Sequence, residues 1–540
     1  MGEMNRRGFL RAGAGGAGAL WLGGSGLTVV GCTPSPAYNP PANGTPFTLG
    51  VLSGLHSASE VVLWTRLEPS LAPGATAVTW EVATDPGMGT IVESGEVTVD
   101  GSADWTAKVL VGGLAADRSY WYRFAVGGLT SPVGRARTLP SPGSSPDRLR
   151  LAFASCQNWG SGWYNAWAGI VAEDVDAVVW LGDYIYESGG SAIASVRKDP
   201  VGSVDDLAGY RAKYQLYRSD PLLQAGHAAH PFVPVWDDHE FENDYNRITI
   251  AQNPQRAQAA YRAWFEYMPV WPIDGTRIHR SLSWGRLAEI PLLDTRQYRD
   301  RQPNGFQGPD VDSYIGAGDV LVEASSPNRT ILGTAQRDWL FERLGSAQAD
   351  GVRWKLIGNQ VMIAPVRPID LDTPELRQLF PDLPRHNGLF VNMDSWDGYQ
   401  WERDLLLARL SDERIADVSF LTGDIHTFWQ ASIRADFDDP TSPIVANEYV
   451  GGSISSPGPN VIDNDDFGIF IEEATRNWSP AFRYSDFRRN GYGLLDATPD
   501  TLDISFRTTR VKTLGTPVAT SVAFGTTPGS PVPSLTAVNP

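Results

Sequence analysis

Five short polar clusters, far apart in the chain, contain the side chains that could do chemistry. Each begins where a run of apolar residues ends; they are Ser155-Cys156-Gln157, Gly182 to Glu187, Trp236 to Glu240, Gly358-Asn359-Gln360 and Thr422 to His426. Together they offer thiol, carboxylate, phenol, amide and imidazole groups, all of which bind metal ions in proteins. Their combination predicts a metal site.

The apolar runs before the clusters predict the elements that position them. Short apolar runs of this length are typical of buried strands, and they cover residues 151–154, 177–181, 232–236, 354–357 and 418–421. In layered α/β proteins, ligands bind in the crevice outside the carboxyl ends of the strands. We therefore expect the five clusters to meet in one crevice.

The residue types within the clusters indicate which metals could bind. The phenol of Tyr186 has an ordinary pKa near 10, so only a strongly acidic ion such as ferric iron would hold it deprotonated at neutral pH. The Cys156 thiolate also favours a transition metal over calcium or magnesium, and Asp183 is a general ligand. Taken singly, Cys156 could equally be a core residue and Tyr186 a packing residue.

The remaining clusters supply mostly oxygen and imidazole ligands. Asp238 and His239 lie in an acidic turn that follows a buried-looking strand, although a solvated turn is the alternative. Asp424 and His426 are two residues apart, which in an extended segment places both on one side. Asn359 offers an amide oxygen, a weak ligand for hard cations, or is an ordinary turn residue.

The N-terminus predicts export. Arg6 and Arg7 precede Phe9-Leu10 and a Gly/Ala-rich stretch, which resembles a twin-arginine signal peptide over residues 1–31. Val29 to Cys32 resembles a lipoprotein cleavage box, so Cys32 could carry a lipid anchor; an ordinary cleavage site is the alternative. We expect a protein that the twin-arginine machinery exports, and that is periplasmic, anchored at the cell surface or secreted.

Composition and pattern divide the rest of the chain. Residues 32–46 are typical of a tether, residues 47–140 of a β-sandwich resembling fibronectin III or Ig-like modules, residues 148–512 of a layered α/β domain, and residues 513–540 of a loose tail. The formal net charge of −18 provides no basic face, so we expect no nucleic-acid-binding surface.

The joint pattern resembles a known enzyme family. Gly182-Asp183 with Tyr186, and Trp236 to Glu240, resemble the metallophosphoesterase scheme of purple acid phosphatases, and the narrower match is the alkaline phosphatase D (PhoD-type) family. Thr422 to His426 fits its Thr-Gly-Asp-x-His string, and Trp429 follows one position earlier than in that string. The resemblance implies an α/β fold, in which a two-sheet layered metallophosphoesterase domain follows the fibronectin III/Ig-like β-sandwich.

The resemblance also implies a metal assignment. Ferric iron, Fe(3+), would be held by Cys156, Asp183, Tyr186 and a late carboxylate or histidine, for which Asp424 is the first choice. Calcium, Ca(2+), would lie beside it, share Asp183 and bind Asp238 and Asn359. The chain has only 7 histidines, which argues against a site built mainly from imidazoles.

Three residues are candidates for a direct catalytic role. His239 is the candidate general acid for the leaving oxygen. His426 would ligate metal or stabilise the site. Arg296 follows the apolar pair Leu292-Leu293 and could clamp a phosphate oxygen; the alternative is a surface arginine paired with Asp294 or Asp300.

The predicted function is hydrolysis of phosphate esters. We expect an exported, monomeric alkaline phosphatase with mono- and diesterase activity that releases inorganic phosphate. One alternative is a phosphodiesterase or phospholipase D-like hydrolase that uses the same metals. The non-enzymatic alternative is a surface binding or adhesion protein with an inert α/β domain.

Overall fold

The structure is a computed structural model. It describes residues 45–70, 74–189, 195–303, 317–379, 386–458, 464–479 and 481–538. The predicted signal peptide of residues 1–31, Cys32 and nearly all of the predicted tether lie outside the described residues.

The larger of two main sheets carries the first three clusters at the ends of its central strands. Its ten strands are, in spatial order, β24 (Ser534–Val538), β23 (Ala519–Thr526), β22 (Leu502–Thr509), β21 (Asn490–Ala497), β9 (Leu149–Ala154), β10 (Ala177–Leu181), β11 (Phe232–Val235), β1 (Val51–Leu55), β2 (Val61–Arg66) and β5 (Thr106–Val111). Strands β9, β10 and β11 are parallel to one another. Their carboxyl ends therefore share one edge, as the sequence predicts.

The second main sheet carries the other two clusters. Its seven strands are, in spatial order, β12 (Arg280–Trp284), β13 (Ala288–Leu292), β14 (Trp354–Asn359), β17 (Val418–Thr422), β19 (Ile444–Gly451), β18 (Phe428–Arg434) and β20 (Phe482–Asp486). Strands β14 and β17 are parallel neighbours, with Asn359 opposite Thr422. The Cβ that Gly358 lacks would lie 3.3 Å from Leu181, so the two sheets pack closely at this point.

The N-terminal region is rich in strands, its buried apolar residues form a core of their own, and three of its strands also extend the larger sheet. A five-stranded sheet contains β4 (Ile91–Val99), β3 (Thr76–Ala83), β6 (Ser119–Val126), β7 (Leu129–Thr130) and β8 (Gly134–Arg137). The other strands before residue 140, β1, β2 and β5, extend the larger sheet, and β1 pairs in parallel with β11. The mixed α/β class is confirmed, whereas the fibronectin III/Ig-like type of the N-terminal region stays a prediction.

Helices and a short hairpin complete the described fold. The helices are α1 (Asn165–Ala172), α2 (Leu207–Arg218), α3 (Pro221–Ala229), α4 (Arg247–Gln252), α5 (Pro254–Tyr267), α6 (Asp319–Ala324), α7 (Gly333–Ala349), α8 (Pro374–Leu379), α9 (Gln400–Asp412) and α10 (Asp465–Trp478), with 3-10 turns at Gly101–Ala103 and Trp396–Tyr399. The hairpin pairs β15 (Ile369–Asp370) with β16 (Gly388–Leu389). Among the described helices, none combines the length and the apolar composition needed to cross a bilayer.

The prediction of a loose tail over residues 513–540 is wrong at Ala519–Thr526 and Ser534–Val538, which form strands. Strands β23 and β24 extend the larger sheet in antiparallel pairing beyond β22. Val522 and Phe524 are buried in the main core, two residues apart. This alternation is the period of a strand with one buried face, and the Thr- and Ser-rich composition hides it.

His386 anchors the long connecting segment between β14 and α9. Its Nε2 lies 2.8 Å from Asp404 and its Nδ1 2.6 Å from Asp438, and Arg367 also binds Asp438 at 2.7 Å. Burial opposes ionisation of the ring, but the hydrogen bonds to Asp404 and Asp438 raise the pKa of His386 to about 9. The imidazolium therefore bridges α9 and the loop after β18 at neutral pH.

This ion triad predicts a pH-dependent stability. Because the folded pKa is about 9 and the ordinary value 6.5, the contribution of His386 is complete below about pH 6.5. It is lost as the pH rises through 9. Urea denaturation gives the free energy of unfolding of the wild type and of His386→Asn at each pH. We expect the wild type to be the more stable at low pH, and this difference in stability to fall by about 2–3 kcal/mol between about pH 6.5 and 9. Asparagine is chosen because it tolerates the positive φ of 58° at this position. His56→Asn is the control. A stability difference between wild type and His386→Asn that does not change with pH would contradict the charged state of His386.

Candidate metal centre

Backbone hydrogen bonds bring the five clusters into one crevice between the two main sheets. The Cys156 amide donates to the carbonyl of Gly182 at 3.1 Å, and the Gly423 amide donates to the carbonyl of Gln360 at 3.0 Å. The Gln360 side chain then crosses between sheets and donates to the carbonyl of Trp236 at 3.1 Å. The expectation that strand ends from both sheets converge therefore agrees with the structure.

Four of the predicted site residues have a left-handed backbone. They are Cys156, Asp183, Asp424 and His426, with φ angles of 60°, 57°, 65° and 61°. Residues other than glycine, asparagine and aspartate rarely adopt this conformation, so Cys156 and His426 are strained, and such strain concentrates at functional sites. The strand-end turns thus position these two side chains at a free-energy cost that the rest of the fold must offset.

Two glycines allow the strand ends to approach. A Cβ at Gly182 would lie 2.3 Å from the Cβ of Asp237, and a Cβ at Gly423 would lie 2.6 Å from the Oγ of Ser155. Both distances are too short for any side chain, so the Gly-Asp pairs at 182–183 and 423–424 require glycine.

The first group of possible metal ligands contains Cys156, Asp183 and His426, each offering one ligand atom within 4.8 Å of the others. The Tyr186 hydroxyl joins this group, since it lies 2.8 Å from Asp183 Oδ2 and 3.0 Å from His426 Nε2. Sulfur, phenol, carboxylate and imidazole are thus in contact. The sequence names Asp424 as the first choice beside Cys156 and Asp183, but the structure places His426 there.

The hydrogen bonds of His426 define which ring nitrogen can bind a metal. Its Nδ1 lies 2.9 Å from the carbonyl of Pro457, which can only accept, so Nδ1 carries the proton. Burial lowers the pKa of His426 to about 4, and the ring is therefore neutral. The unprotonated Nε2 faces Tyr186 and the first group, the arrangement that a metal-binding histidine needs.

Two further groups consist mostly of carboxylates. Asp183, Asp238 and His239 form one, and Asp237, Asp238 and Asp424 form the other, each with ligand atoms within 4.8 Å. Asp183 and Asp238 each belong to two of the groups found among the described residues. The groups are therefore contiguous, and bridging carboxylates connect them.

Several side chains of the centre are kept neutral by their surroundings. Burial is the main cause that raises the pKa values of Cys156, Asp183, Tyr186 and Asp424 well above their ordinary ranges, and neighbouring carboxylates raise that of Cys156 further. A bound cation would reverse this effect and favour the thiolate, phenolate and carboxylate forms. The electrostatics therefore suit a positively charged occupant.

Arg296 does not have the exposed position expected of a phosphate clamp. It is 0% exposed, and its guanidinium binds Asp237 through Nε, Asp394 at 2.7 Å and Asp424 at 2.8 Å, with Asp238 at 3.7 Å. The sequence alternative, a surface arginine paired with Asp294 or Asp300, is also wrong. Arg296 instead neutralises the carboxylates behind the centre and positions them.

Asn359 lies at the end of β14 as predicted, but its side chain forms hydrogen bonds with residues outside the ligand groups. Its amide nitrogen donates to the carbonyl of Val361 at 2.5 Å, and its oxygen accepts from the Trp396 indole at 3.3 Å. Its role as a calcium ligand stays a prediction.

Sequence reasoning missed the residues that hold the site residues in place. Glu240 accepts hydrogen bonds from the amides of Asp183 and Asp237 at 3.0 and 2.9 Å, which ties two clusters together. Glu187 lies 2.7 Å from His239 Nδ1. Both glutamates lie within the sequence motifs, so the sequence indicates that they are close to the ligands. It does not indicate that Glu240 binds backbone amides or that Glu187 binds the His239 ring.

The Glu187 pair determines the protonation of His239. Burial alone would lower the pKa of His239, but the charge and hydrogen bond of Glu187, together with the charge of Asp238, raise it well above the ordinary value. The ring also packs on Tyr186, with centroids 4.1 Å apart. Nδ1 therefore donates to Glu187, and the protonated Nε2 remains as a donor at the centre.

Replacing Glu187 with Gln is expected to lower kcat about tenfold or more while KM changes little, because the imidazolium loses its anionic partner. Initial rates on a phosphate ester measure the effect. Glu242→Gln, which removes a surface pair with Arg256, is the control and is expected to retain full activity. A tenfold change in KM with an unchanged kcat would argue against this role of Glu187.

The fold and the crevice together define a two-sheet α/β protein with a buried metal-binding centre at the ends of its strands. Comparisons with known proteins agree. The model of the family described as PhoD-like phosphatase matches residues 151–506, and the model of its N-terminal domain matches residues 31–140. The chain belongs to the PhoD-like phosphatase family.

Individual relatives extend this match to nearly the whole chain. Alkaline phosphatase D of Bacillus subtilis (strain 168) is 35% identical over 527 residues, which cover 93% of this chain and 84% of the relative. The solved "Structure of PhoD" aligns with a TM-score of 0.81 at 32% identity and covers 93% of this chain and 94% of that one. The chain is therefore a phosphoric ester hydrolase of a metal-dependent family.

Proposed function

We propose that the protein is an exported alkaline phosphatase that holds ferric iron and calcium and hydrolyses phosphate mono- and diesters to release inorganic phosphate. The observation that carries this proposal is the contact of Tyr186 with Asp183 and His426 beside the Cys156 thiol. A thiolate and a phenolate together select a strongly acidic transition metal.

The donor set of the first group fits iron. Cys156, Asp183 and Tyr186 would hold the ion, and the neutral His426 Nε2 is available as a fourth ligand. Ser456 donates to the Tyr186 oxygen at 2.7 Å, which would stabilise a phenolate. The ligand set thus has the outer-shell partner that tunes such sites.

The carboxylate group fits calcium. Asp237 Oδ2 is buried and has no hydrogen-bond partner, a costly arrangement unless a cation binds it. Asp238 and Asp424 complete an all-oxygen set of the kind that calcium prefers, and Asn359 would add an amide oxygen.

The chain's own residues supply the remaining steps. When bound, such metal ions polarise phosphate oxygens and provide a nucleophile from water at moderate pH. His239 donates its Nε2 proton to the departing ester oxygen, and Glu187 holds the ring in position at Nδ1. Arg296 keeps the carboxylates in place without touching the substrate.

A phosphodiesterase or phospholipase D-like hydrolase is the alternative enzyme on the same centre. A diester has one fewer charge and a second substituent, so it needs a wider pocket. Rates on p-nitrophenyl phosphate and bis(p-nitrophenyl) phosphate separate the two, and a preference for the diester above about tenfold would favour the alternative. Purified protein with neither metal nor hydrolytic activity would instead favour the adhesion protein.

The iron assignment predicts a visible absorption band. Protein purified from its host is expected to contain iron and calcium and to show a tyrosinate-to-iron charge-transfer band that disappears in Tyr186→Phe. Tyr492→Phe, a buried tyrosine outside the centre, is the control and keeps the band. Colourless protein that contains only zinc would refute the iron assignment.

Export is proposed from the N-terminal sequence alone. Arg6 and Arg7 would direct the folded, metal-loaded protein to the twin-arginine machinery, with Cys32 as an acylation site. Replacing both arginines with lysine is expected to retain the protein in the cytoplasm, and Cys32→Ala tests the anchor by detergent partitioning. We propose a monomer, testable by sedimentation.

A further inference from the structure

A pocket beside the metal centre is lined by basic residues. Arg488, Arg489, Arg510 and Lys512 lie along it, and no aspartate or glutamate is among its described lining residues. The formal net charge of the chain is −18. Four cations around one pocket are therefore a strong local departure from the acidic composition.

The pocket is continuous with the candidate metal centre. His426 lines the pocket and also belongs to the group with Cys156 and Asp183. Pro457, another lining residue, accepts the Nδ1 proton of His426 at 2.9 Å. A molecule in this pocket would thus lie next to the ester that the metals hold.

Acidic residues hold all three arginines in position. Arg488 binds Glu472 at 2.9 Å and Arg489 lies 3.7 Å from Asp486, both behind the wall, and Arg510 binds the more exposed Asp465 at 2.6 Å. Asp486 is 1% exposed and Glu472 6% exposed, so these carboxylates anchor the arginines from the protein side. Arginines fixed in this way can contact an anion with little loss of side-chain freedom.

We propose that this pocket binds a second phosphate group of the substrate, so that the preferred substrates are phosphate esters that carry another phosphate close to the scissile one, as in a short phosphodiester chain. This inference rests on the proposed function, because it defines the substrate class of the same centre. Bound metal ions would meet the charge of the scissile phosphate, and the basic side chains of the pocket would donate hydrogen bonds to its neighbour. A substrate with one phosphate leaves the pocket solvated.

Two matched pairs of nucleotides test the proposal with the metal-loaded full chain. Calorimetry compares binding of the non-hydrolysable 5′-methylenephosphonate analogue of thymidine 5′-monophosphate with that of the analogue that carries a second, 3′-methylenephosphonate group. The corresponding 5′-(p-nitrophenyl) esters, with and without the 3′-phosphate, report KM through the same leaving group. We expect about tenfold tighter binding and an equally lower KM for each doubly phosphorylated compound.

Variants assign the effect to the pocket. Arg489→Met and the exposed Lys512→Met are each expected to reduce the preference at least about threefold, whereas Arg489→Lys keeps most of it. Arg409→Met, in a surface pair with Glu413, is the control and keeps it fully. Because Lys512 is exposed, its variant keeps the test valid if Arg489→Met fails to fold.

The outcomes separate this inference from the proposed function. Equal affinities for the two nucleotides, or a preference that survives in both methionine variants, would overturn the second-phosphate site. Absence of hydrolysis of either ester would contradict the proposed function, and the calorimetric preference would then still decide about the pocket. A preference for the doubly phosphorylated compounds that weakens with added salt and is lost in Lys512→Met would support the second-phosphate site.

Discussion

Replacing Asp183 with Asn is expected to lower kcat/KM by about a thousandfold and to remove most of the bound metal. Asp183 belongs to two of the three ligand groups and accepts the Tyr186 hydroxyl at 2.8 Å. A neutral amide has one oxygen instead of two and cannot bridge two cations. Elemental analysis and steady-state kinetics on a phosphate monoester measure the two effects.

The control for this prediction is Asp503→Asn on β22, an exposed residue of the same sheet. It removes the same charge away from the centre and is expected to leave rate and metal content unchanged. Retention of full metal content in Asp183→Asn, with activity within about tenfold of wild type, would exclude Asp183 as a shared ligand.

Replacing Arg296 with Met is expected to destabilise the metal-free protein by about 3–5 kcal/mol in the free energy of unfolding. The substitution leaves the buried carboxylates of Asp237 and Asp394 without their cation. Urea denaturation in the presence of a chelator measures the loss. Added calcium is expected to narrow the difference, because an ion that binds the folded state offsets the missing charge.

An exposed arginine supplies the comparison. Arg148, 58% exposed, pairs with Asp496 at the surface, and Arg148→Met is expected to cost less than about 1 kcal/mol. If Arg296→Met costs no more than this control, the carboxylates do not depend on Arg296.

The ligand-bearing clusters could be predicted because their signals are local. Each consists of an apolar run followed directly by polar residues, as at Leu181 to Asp183 and Leu421 to Asp424. The parallel pairing of β9, β10 and β11 then places the strand ends together. Strand length and strand-end composition are sufficient for this inference.

The partners of those residues could not be predicted in the same way. Arg296 contacts Asp394 only because the connecting segment between β14 and α9 folds back to the metal centre. No hydrophobic periodicity in the sequence predicts this path of the chain. The exchange of Asp424 for His426 beside Cys156 has a similar cause. Both residues have positive φ angles, so the two-residue spacing does not follow the extended-chain rule that the sequence interpretation assumed.

The order of strands in the larger sheet has a consequence for biosynthesis. Strand β9, which ends just before Cys156, has β21 as its outer neighbour, and β21 comes from residues 490–497. A nascent chain therefore exposes one edge of β9 until synthesis is almost complete. Ribosome-bound intermediates and C-terminally clipped chains would lack this pairing next to Cys156, so we expect stable metal binding to be a late maturation step that reports that the whole polypeptide has been made.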